Sequence, residues 1–279
     1  SADEREESMH ICMTEEEFLY IFHLMKNKYG IDLSRKKEII QGRMENYINA
    51  KGFHNYSEYI RVFDKDESGK WEKELVNLLT TNHTYFMREF EHFDFLKREV
   101  LPKLRQTEDA TKDLRIWCGA ASTGQEPYML AMLLKDFFGF EHEKWDTKIL
   151  ATDISSEALS YAAAGIYTVE QVENLPDVWK RRFLQSIDGG QRYMMSDDIK
   201  KEVLFRHFNL MDNFPFRRKM HIVFLRNVMI YFDKETKQKL VQKVYDAMEP
   251  GGYLFVGTTE TIDRDVTPFK LVRPSIFRK

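Results

Sequence analysis

The chain has 279 residues and is 43% hydrophobic, enough for one large or two ordinary domains with a real core. Its 42 basic and 45 acidic residues nearly cancel, leaving −3, which argues against a nucleic-acid-binding surface spread over the molecule. Cys12 and Cys118 are too few and too far apart for a disulfide framework or a cysteine-rich metal site, and no apolar run nears the ~20 residues of a membrane span.

Residues 1–8 are acidic and polar, unlike a signal peptide, so the expectation is a soluble cytoplasmic protein without direct membrane insertion. Thr14-Glu15-Glu16-Glu17 then reads as a capping box. Phe18, Ile21, Phe22, Met25 and Tyr29 recur at helical spacing until Gly30 stops the helix. A second helix is expected from Ser34 to about Gly52, with Ile39, Ile40, Met44, Tyr47 and Ile48 on its apolar side. Lys36 and Arg43 share a stripe, with Arg35 beside it. Such a basic ridge suits an acidic partner helix, and the same spacing also fits an ordinary solvated face.

Shorter helical patterns cover 57–63 and 71–79, and no strand signal precedes residue 114, so residues 1–90 are expected to form a helical domain. The stretch from Thr80 to Phe90 is too polar and β-branched for a helix interior and too irregular for a strand. It reads as a capped start to a helix carrying Phe93, Leu96 and Val100, which Pro102 should limit.

Residues 91–279 have a different texture. Strand-like runs over 114–118, 148–152, 220–225 and 253–258 alternate with helical patterns over 127–138, 156–164 and 234–248. That alternation predicts a mostly parallel sheet covered on both faces. The runs 269–272 and 276–277 would add an edge hairpin. Between Gly165 and Asn209 the alternation breaks. The strand-like runs 191–195 and 203–208, with the Gly189-Gly190 turn, suggest a small β insertion at about 185–208, or else a long connection.

The first strand runs into Cys118-Gly119-Ala120-Ala121-Ser122-Thr123-Gly124-Gln125-Glu126, a tight turn followed by a helix start, where backbone N–H groups face a ligand. Gly119 and Gly124 half-match a phosphate loop, but Gln125-Glu126 stands where a lysine and a hydroxyl would meet phosphate and magnesium. A carboxylate there would repel polyphosphate and would suit a ligand with positive charge and hydroxyls, as in S-adenosylmethionine. Asp153 ends the second strand, where α/β proteins place ribose-binding carboxylates, and it equally fits a helix N-cap. At this point a generic α/β domain stays open beside an adenosyl-ligand site.

Three blocks resemble the bacterial chemoreceptor glutamate methyltransferases, the CheR family. Thr81-Asn82-His83-Thr84-Tyr85-Phe86-Met87-Arg88-Glu89 is similar to the family's Thr-Asn-x-Thr-x-Phe-Phe-Arg-Glu segment. Trp117 to Tyr128 is similar to its Trp-Ser-Ala-Gly-Cys-Ser-Thr-Gly-Glu-Glu-Pro-Tyr loop, and Phe224 to Phe232 to its Phe-Cys-Arg-Asn-Val-Met-Ile-Tyr-Phe strand end. The resemblance implies an α/β, Rossmann-like S-adenosylmethionine-dependent methyltransferase sheet with a helical N-terminal domain and a small antiparallel β insertion. It implies S-adenosylmethionine as cofactor, S-adenosylhomocysteine as product, and receptor glutamates as acceptors, giving γ-glutamyl methyl esters in chemotaxis adaptation. By position, the donor-binding set would be Asn82, Thr84, Arg88, Glu126, Asp153, Asn209, Leu210, Arg226 and Asn227. The loop departs from the pattern at Cys118-Gly119, Ala120-Ala121 and Gln125, so its turn angles are expected to differ. Gly257-Thr258-Thr259-Glu260 replaces the family's common Gly-His-Ser-Glu and is assigned no catalytic role.

An acceptor carboxylate is already ionised at neutral pH, so neither a general base nor a metal is expected. The catalytic candidates are Arg88, orienting the acceptor's or the donor's carboxylate, and Tyr231, lining the transfer site. Arg35, Lys36 and Arg43 would steer the cytoplasmic helices of chemoreceptors. The rivals are a methyltransferase of another acceptor and a catalytically silent donor-binding module.

Overall fold

The computed structural model describes residues 11–279, so the acidic leader lies outside the described residues. The chain divides into two compact units between Thr81 and Asn82, which puts the segment from Asn82 to Glu89 in the second unit rather than with the helical domain expected to reach residue 90.

Among the described residues the first unit holds four helices, α1 (Glu15–Tyr29), α2 (Lys37–Ala50), α3 (Tyr56–Lys65) and α4 (Lys70–Leu79). The capping box at Thr14 forms: Glu17 N–H donates to Thr14 Oγ1 over 3.2 Å, and Thr14 N–H to Glu17 Oε1 over 2.9 Å. Gly30 closes α1 in the left-handed region at φ 72°. On α2, Ile40, Met44 and Ile48 are buried, whereas Ile39 is 56% exposed, so the apolar side is narrower than expected. Tyr47 turns its hydroxyl to Glu74.

The second unit begins with α5 (Phe90–Phe95), a π-type turn (Leu96–Val100) and α6 (Leu101–Thr107). Pro102 does not limit this helical run. The widened turn before it lets the helix restart at Leu101, placing the proline in a first turn, where a missing N–H costs nothing. The chain then runs β1 (Ile116–Cys118), α7 (Gln125–Phe138), β2 (Ile149–Asp153), α8 (Ser156–Ala164), β3 (Ile166–Thr168), α9 (Val169–Val172) and α10 (Asp177–Phe183). It continues through β4 (Leu184–Ile187), β5 (Arg192–Met195), α11 (Asp197–Lys200), β6 (Val203–His207), β7 (Met220–Leu225), α12 (Lys234–Asp246), β8 (Met248–Val256), β9 (Lys270–Arg273) and β10 (Ile276–Arg278).

Seven strands form the main sheet in the order β6-β2-β1-β7-β8-β10-β9, the first five parallel and the last two antiparallel. The run from Val203, expected in the insertion, is instead the parallel edge strand β6, in register with Ile149 to Asp153 on β2. The insertion is the antiparallel sheet β3-β5-β4, so it starts at Ile166 and ends before β6. Successive strand residues point to opposite faces. Ile116, Cys118, Ile222, Phe224 and Phe255 pack on one side with residues of α5, α6 and α7. Trp117, Val223, Leu225, Leu254 and Val256 pack on the other with Leu240, Val241 and Val244 of α12. Both faces are therefore apolar, as a central parallel sheet requires. Strand order reverses between β1 and β7, which makes the carboxyl ends of β1, β2 and β7 the natural ligand crevice. No helix among the described residues is long and apolar enough to cross a membrane.

Candidate active site at the carboxyl edge of the sheet

The loop between β1 and α7 is pinned from below. Trp117 Nε1 donates to Thr152 Oγ1 over 3.0 Å, and Ala121 N–H to the Thr152 carbonyl over 2.8 Å. The left-handed residues of this loop are Ser122 (φ 50°) and Gly124 (φ 99°); Ala120 and Ala121 are not among them. Gly124 is needed for space as well. A Cβ there would come within 2.8 Å of Ala162 Cβ and Tyr167 Oη, and 3.1 Å of the Ala162 backbone.

Ser122 joins two predicted site residues. Its N–H donates to Asp153 Oδ2 over 2.8 Å, and its hydroxyl to the Asn82 carbonyl over 2.8 Å. The other oxygen of Asp153 accepts the Ser155 N–H at 2.9 Å. The cap of α8 is Ser155 itself, so Asp153 is not the N-cap. Burial pushes the Asp153 carboxyl above its ordinary value, against the pull of the Ser155, Ser122 and Ile154 amides.

Glu126, in the first turn of α7, and Arg226, just past β7, form the deepest ion pair of the site. Arg226 Nε donates to Glu126 Oε2 over 2.6 Å, with side chains 3% and 10% exposed. The remaining oxygen, Glu126 Oε1, is buried without a hydrogen-bond partner. Beside it, burial and then the Glu126 charge push the Cys118 thiol far up, so it stays neutral. Arg226 is itself enclosed. Its Nη1 donates to the Arg88 carbonyl over 3.1 Å and faces His92 Nδ1 at 3.1 Å and Glu89 Oε2 at 3.4 Å, and its guanidinium lies over the ring of Phe93.

His92 has to accept from Arg226 at Nδ1, so its proton sits on Nε2, which donates to Ser275 Oγ over 2.7 Å. Burial, reinforced by the Arg226 charge, lowers its pKa from 6.5 to about 4. For Glu89, burial pushes the carboxyl up, and the Thr258 hydrogen bonds with Arg226 outweigh it, leaving a net lowering.

Arg88 is half-buried and folds back on its own segment, donating to the His83 carbonyl over 3.0 Å and lying over the Tyr85 ring. Among the described residues no carboxylate pairs with it. Asn227, at φ 61°, presses its Oδ1 where a Cβ of Gly257 would lie 2.3 Å away. Glu260 clamps this turn: Oε1 accepts the N–H groups of Asn227 and Gly257, and Oε2 those of Met229 and Ile230, leading into the short turn that ends at Tyr231. Burial raises the Glu260 carboxyl despite those amides.

Asn209 is buried, with Oδ1 accepting the Met211 N–H at 3.0 Å. Leu210 packs into the core on the Trp117 side, and its carbonyl accepts from Lys243 Nζ at 2.9 Å. Thr84 is half-buried on the segment that carries Arg88. The reading from sequence missed Glu89, His92 and Glu260. The one signal for them was that Glu89 lies inside a recognised block and Glu260 inside an unassigned one.

Residues 82–277 match the family model described as CheR methyltransferase, SAM binding domain, and residues 16–80 match CheR methyltransferase, all-alpha domain. The chain belongs to the CheR methyltransferase family. The "Chemotaxis protein methyltransferase" of Borreliella burgdorferi is 37% identical over 276 residues, covering 98% of this chain and 97% of the relative. The "Chemotaxis protein methyltransferase 1" of Pseudomonas aeruginosa is 32% identical, covering 87% and 88%, and the Escherichia coli "Chemotaxis protein methyltransferase" is 29% identical, covering 96% and 92%. As a CheR methyltransferase the chain is an S-adenosylmethionine-dependent enzyme of chemotaxis, and its residues fit that cofactor. The orphaned, buried Glu126 oxygen suits an ammonium, and a buried carboxylate at the loop does not suit a polyphosphate.

Proposed function

We propose that this CheR methyltransferase methylates glutamate side chains of chemoreceptors in the cytoplasm, producing γ-glutamyl methyl esters. The observation that carries this reading is a division of charge. Among the described residues, a buried carboxylate oxygen without a partner sits at Glu126, and a cation without a carboxylate sits at Arg88. The first suits the donor's ammonium and the second the acceptor's carboxylate.

When bound, S-adenosylmethionine supplies an electrophilic methyl group on a sulfonium. Glu126 Oε1 would take the ammonium while Arg226 holds Oε2, and Asp153 would receive ribose hydroxyls with the lone pairs its amide bonds leave. Asn82, Thr84, Asn209, Leu210 and Asn227 would complete the wall. Because the acceptor is ionised at neutral pH, no side chain has to remove a proton. The protein's task is orientation and exclusion of water. Arg88 would orient the incoming carboxylate through paired N–H donors, and Tyr231 would line its path.

The exposed Arg35 and Arg43, with Lys36, would attract an acidic receptor helix. Reversing Arg35 and Arg43 to Glu should then slow receptor methylation while donor affinity stays unchanged, and unchanged methylation would dismiss that docking role.

The decisive experiment is transfer of a radiolabelled methyl group to purified receptor signalling domains. The expected product is base-labile label released as methanol. Donor binding without receptor labelling would favour another acceptor or a silent module, and absence of donor binding would defeat every enzymatic reading.

A further inference from the structure

Arg88 stands between two residues whose backbones are left-handed, Met87 at φ 70° and Glu89 at φ 50°. Side-chain-bearing residues enter that region at a cost, so strain on both sides of one arginine needs an external hold. The hold comes from residues distant in sequence. Glu89 Oε1 accepts the Thr258 N–H at 3.1 Å and the Thr258 hydroxyl at 2.9 Å, and Oε2 faces Arg226 Nη1 at 3.4 Å. The same Nη1 donates to the carbonyl of Arg88 over 3.1 Å. The carbonyl of Arg88 and the residue that follows it are thus fixed by one guanidinium and one carboxylate, whereas among the described residues its own side chain is held only by the His83 carbonyl and the Tyr85 ring.

We infer that Glu89 is a positioning residue for methyl transfer, which sets the direction of Arg88 by locking the strained turn from Met87 to Glu89 against Thr258 and Arg226. The inference rests on the reading of Arg88 as the group that orients the acceptor carboxylate. Glu89 touches neither substrate nor donor in this scheme. It holds the peptide from which Arg88 projects, and a displacement of about 1 Å at an orienting group is enough to cost up to a hundredfold in turnover. Its own carboxylate is ionised and fully engaged, so the turn does not slacken near neutral pH.

The test is a double-mutant cycle with Glu89→Gln and Arg88→Ala, measuring kcat, KM for the receptor domain, and donor affinity by calorimetry. Gln keeps an acceptor for Thr258 and loses the charge facing Arg226. In the parent protein Glu89→Gln should lower kcat about tenfold with donor affinity unchanged, and in the Arg88→Ala background it should change kcat less than about twofold. Thr258→Val should repeat the loss and Thr258→Ser should restore it. Independently of turnover, amide hydrogen exchange over residues 83–89 should quicken in Glu89→Gln without donor. Full additivity of the two substitutions, or unchanged kcat and exchange in Glu89→Gln, would overturn the inference. If Arg88→Ala keeps full turnover, the reading of Arg88 falls, and the inference with it. If Arg88→Ala is inactive while Glu89→Gln is normal, the inference alone falls.

Discussion

His92 offers a test of the site that needs neither substrate nor donor. It is 2% exposed, accepts from Arg226 at Nδ1 and donates to Ser275 at Nε2, so it must be neutral to fit. Its pKa is lowered from 6.5 to about 4, which means that between those values the unfolded chain binds a proton that the folded chain refuses. Stability therefore rises with pH across that window and falls as pH drops from about 6.5 toward 4. The size of the shift corresponds to about 3 kcal/mol lost by pH 4. His92→Gln keeps an acceptor toward Arg226 and cannot titrate. Because Asp153, Glu260, His142 and His221 also shift, the informative quantity is the difference between the two proteins. Urea unfolding at pH 7, 6, 5 and 4 should show the parent losing stability relative to the variant, with most of the change below pH 6.5. A difference that stays flat with pH would refute the assignment of a neutral, donor-bound imidazole.

Other perturbations separate backbone from side-chain roles. Gly124→Ala combines left-handed strain with contacts of 2.8 Å to Ala162 and Tyr167 and should cost about 2 kcal/mol or more in a melting or urea experiment. Gly42→Ala is the opposite case: this helix-interior glycine has open space around it, and alanine should stabilise the protein by about 0.5–1 kcal/mol in the same assay. Glu126→Gln removes the negative charge that faces buried Arg226 and should weaken donor binding about tenfold or more, measured by calorimetry. Ala120→Gly should leave donor affinity within about twofold, because Ala120 is not among the left-handed residues of the loop.

How legible the site was depended on the range of each interaction. Glu126 could be read because it contradicts a local pattern, a carboxylate in the place of a phosphate-binding lysine. Asp153 could be read because strand ends in α/β sheets attract ligands. Glu89, His92 and Glu260 could not be read from spacing. Their partners are Thr258, Arg226, Ser275 and the turn from Asn227 to Ile230, and only the folded sheet brings them together. The edge strand β6 was misplaced for a similar reason: a short apolar run carries no label saying which sheet it joins, and its partner β2 lies beyond the whole insertion. Pro102 misled because a proline is a stop signal only inside a regular helix, and the π-type turn before it has no spacing signature. Ile39 fell outside the buried side because α2 buries only the narrow stripe of Ile40, Met44 and Ile48.

The insertion is joined to the loop between β1 and α7. Tyr167, on β3, donates its hydroxyl to the Thr123 carbonyl over 2.6 Å, and Tyr128, on α7, donates to the Ala162 carbonyl over 2.6 Å. The two rings also meet edge to face. This small sheet is therefore not an interchangeable cassette. A chimera that grafts residues 166–195 from a relative inherits the loop's support along with whatever surface the graft was meant to supply. One that omits the phenol of Tyr167 leaves the Thr123 carbonyl without its donor, next to Gly124, which has no room for a side chain. The first strand of the graft, rather than its outer surface, sets whether such a hybrid keeps its cofactor.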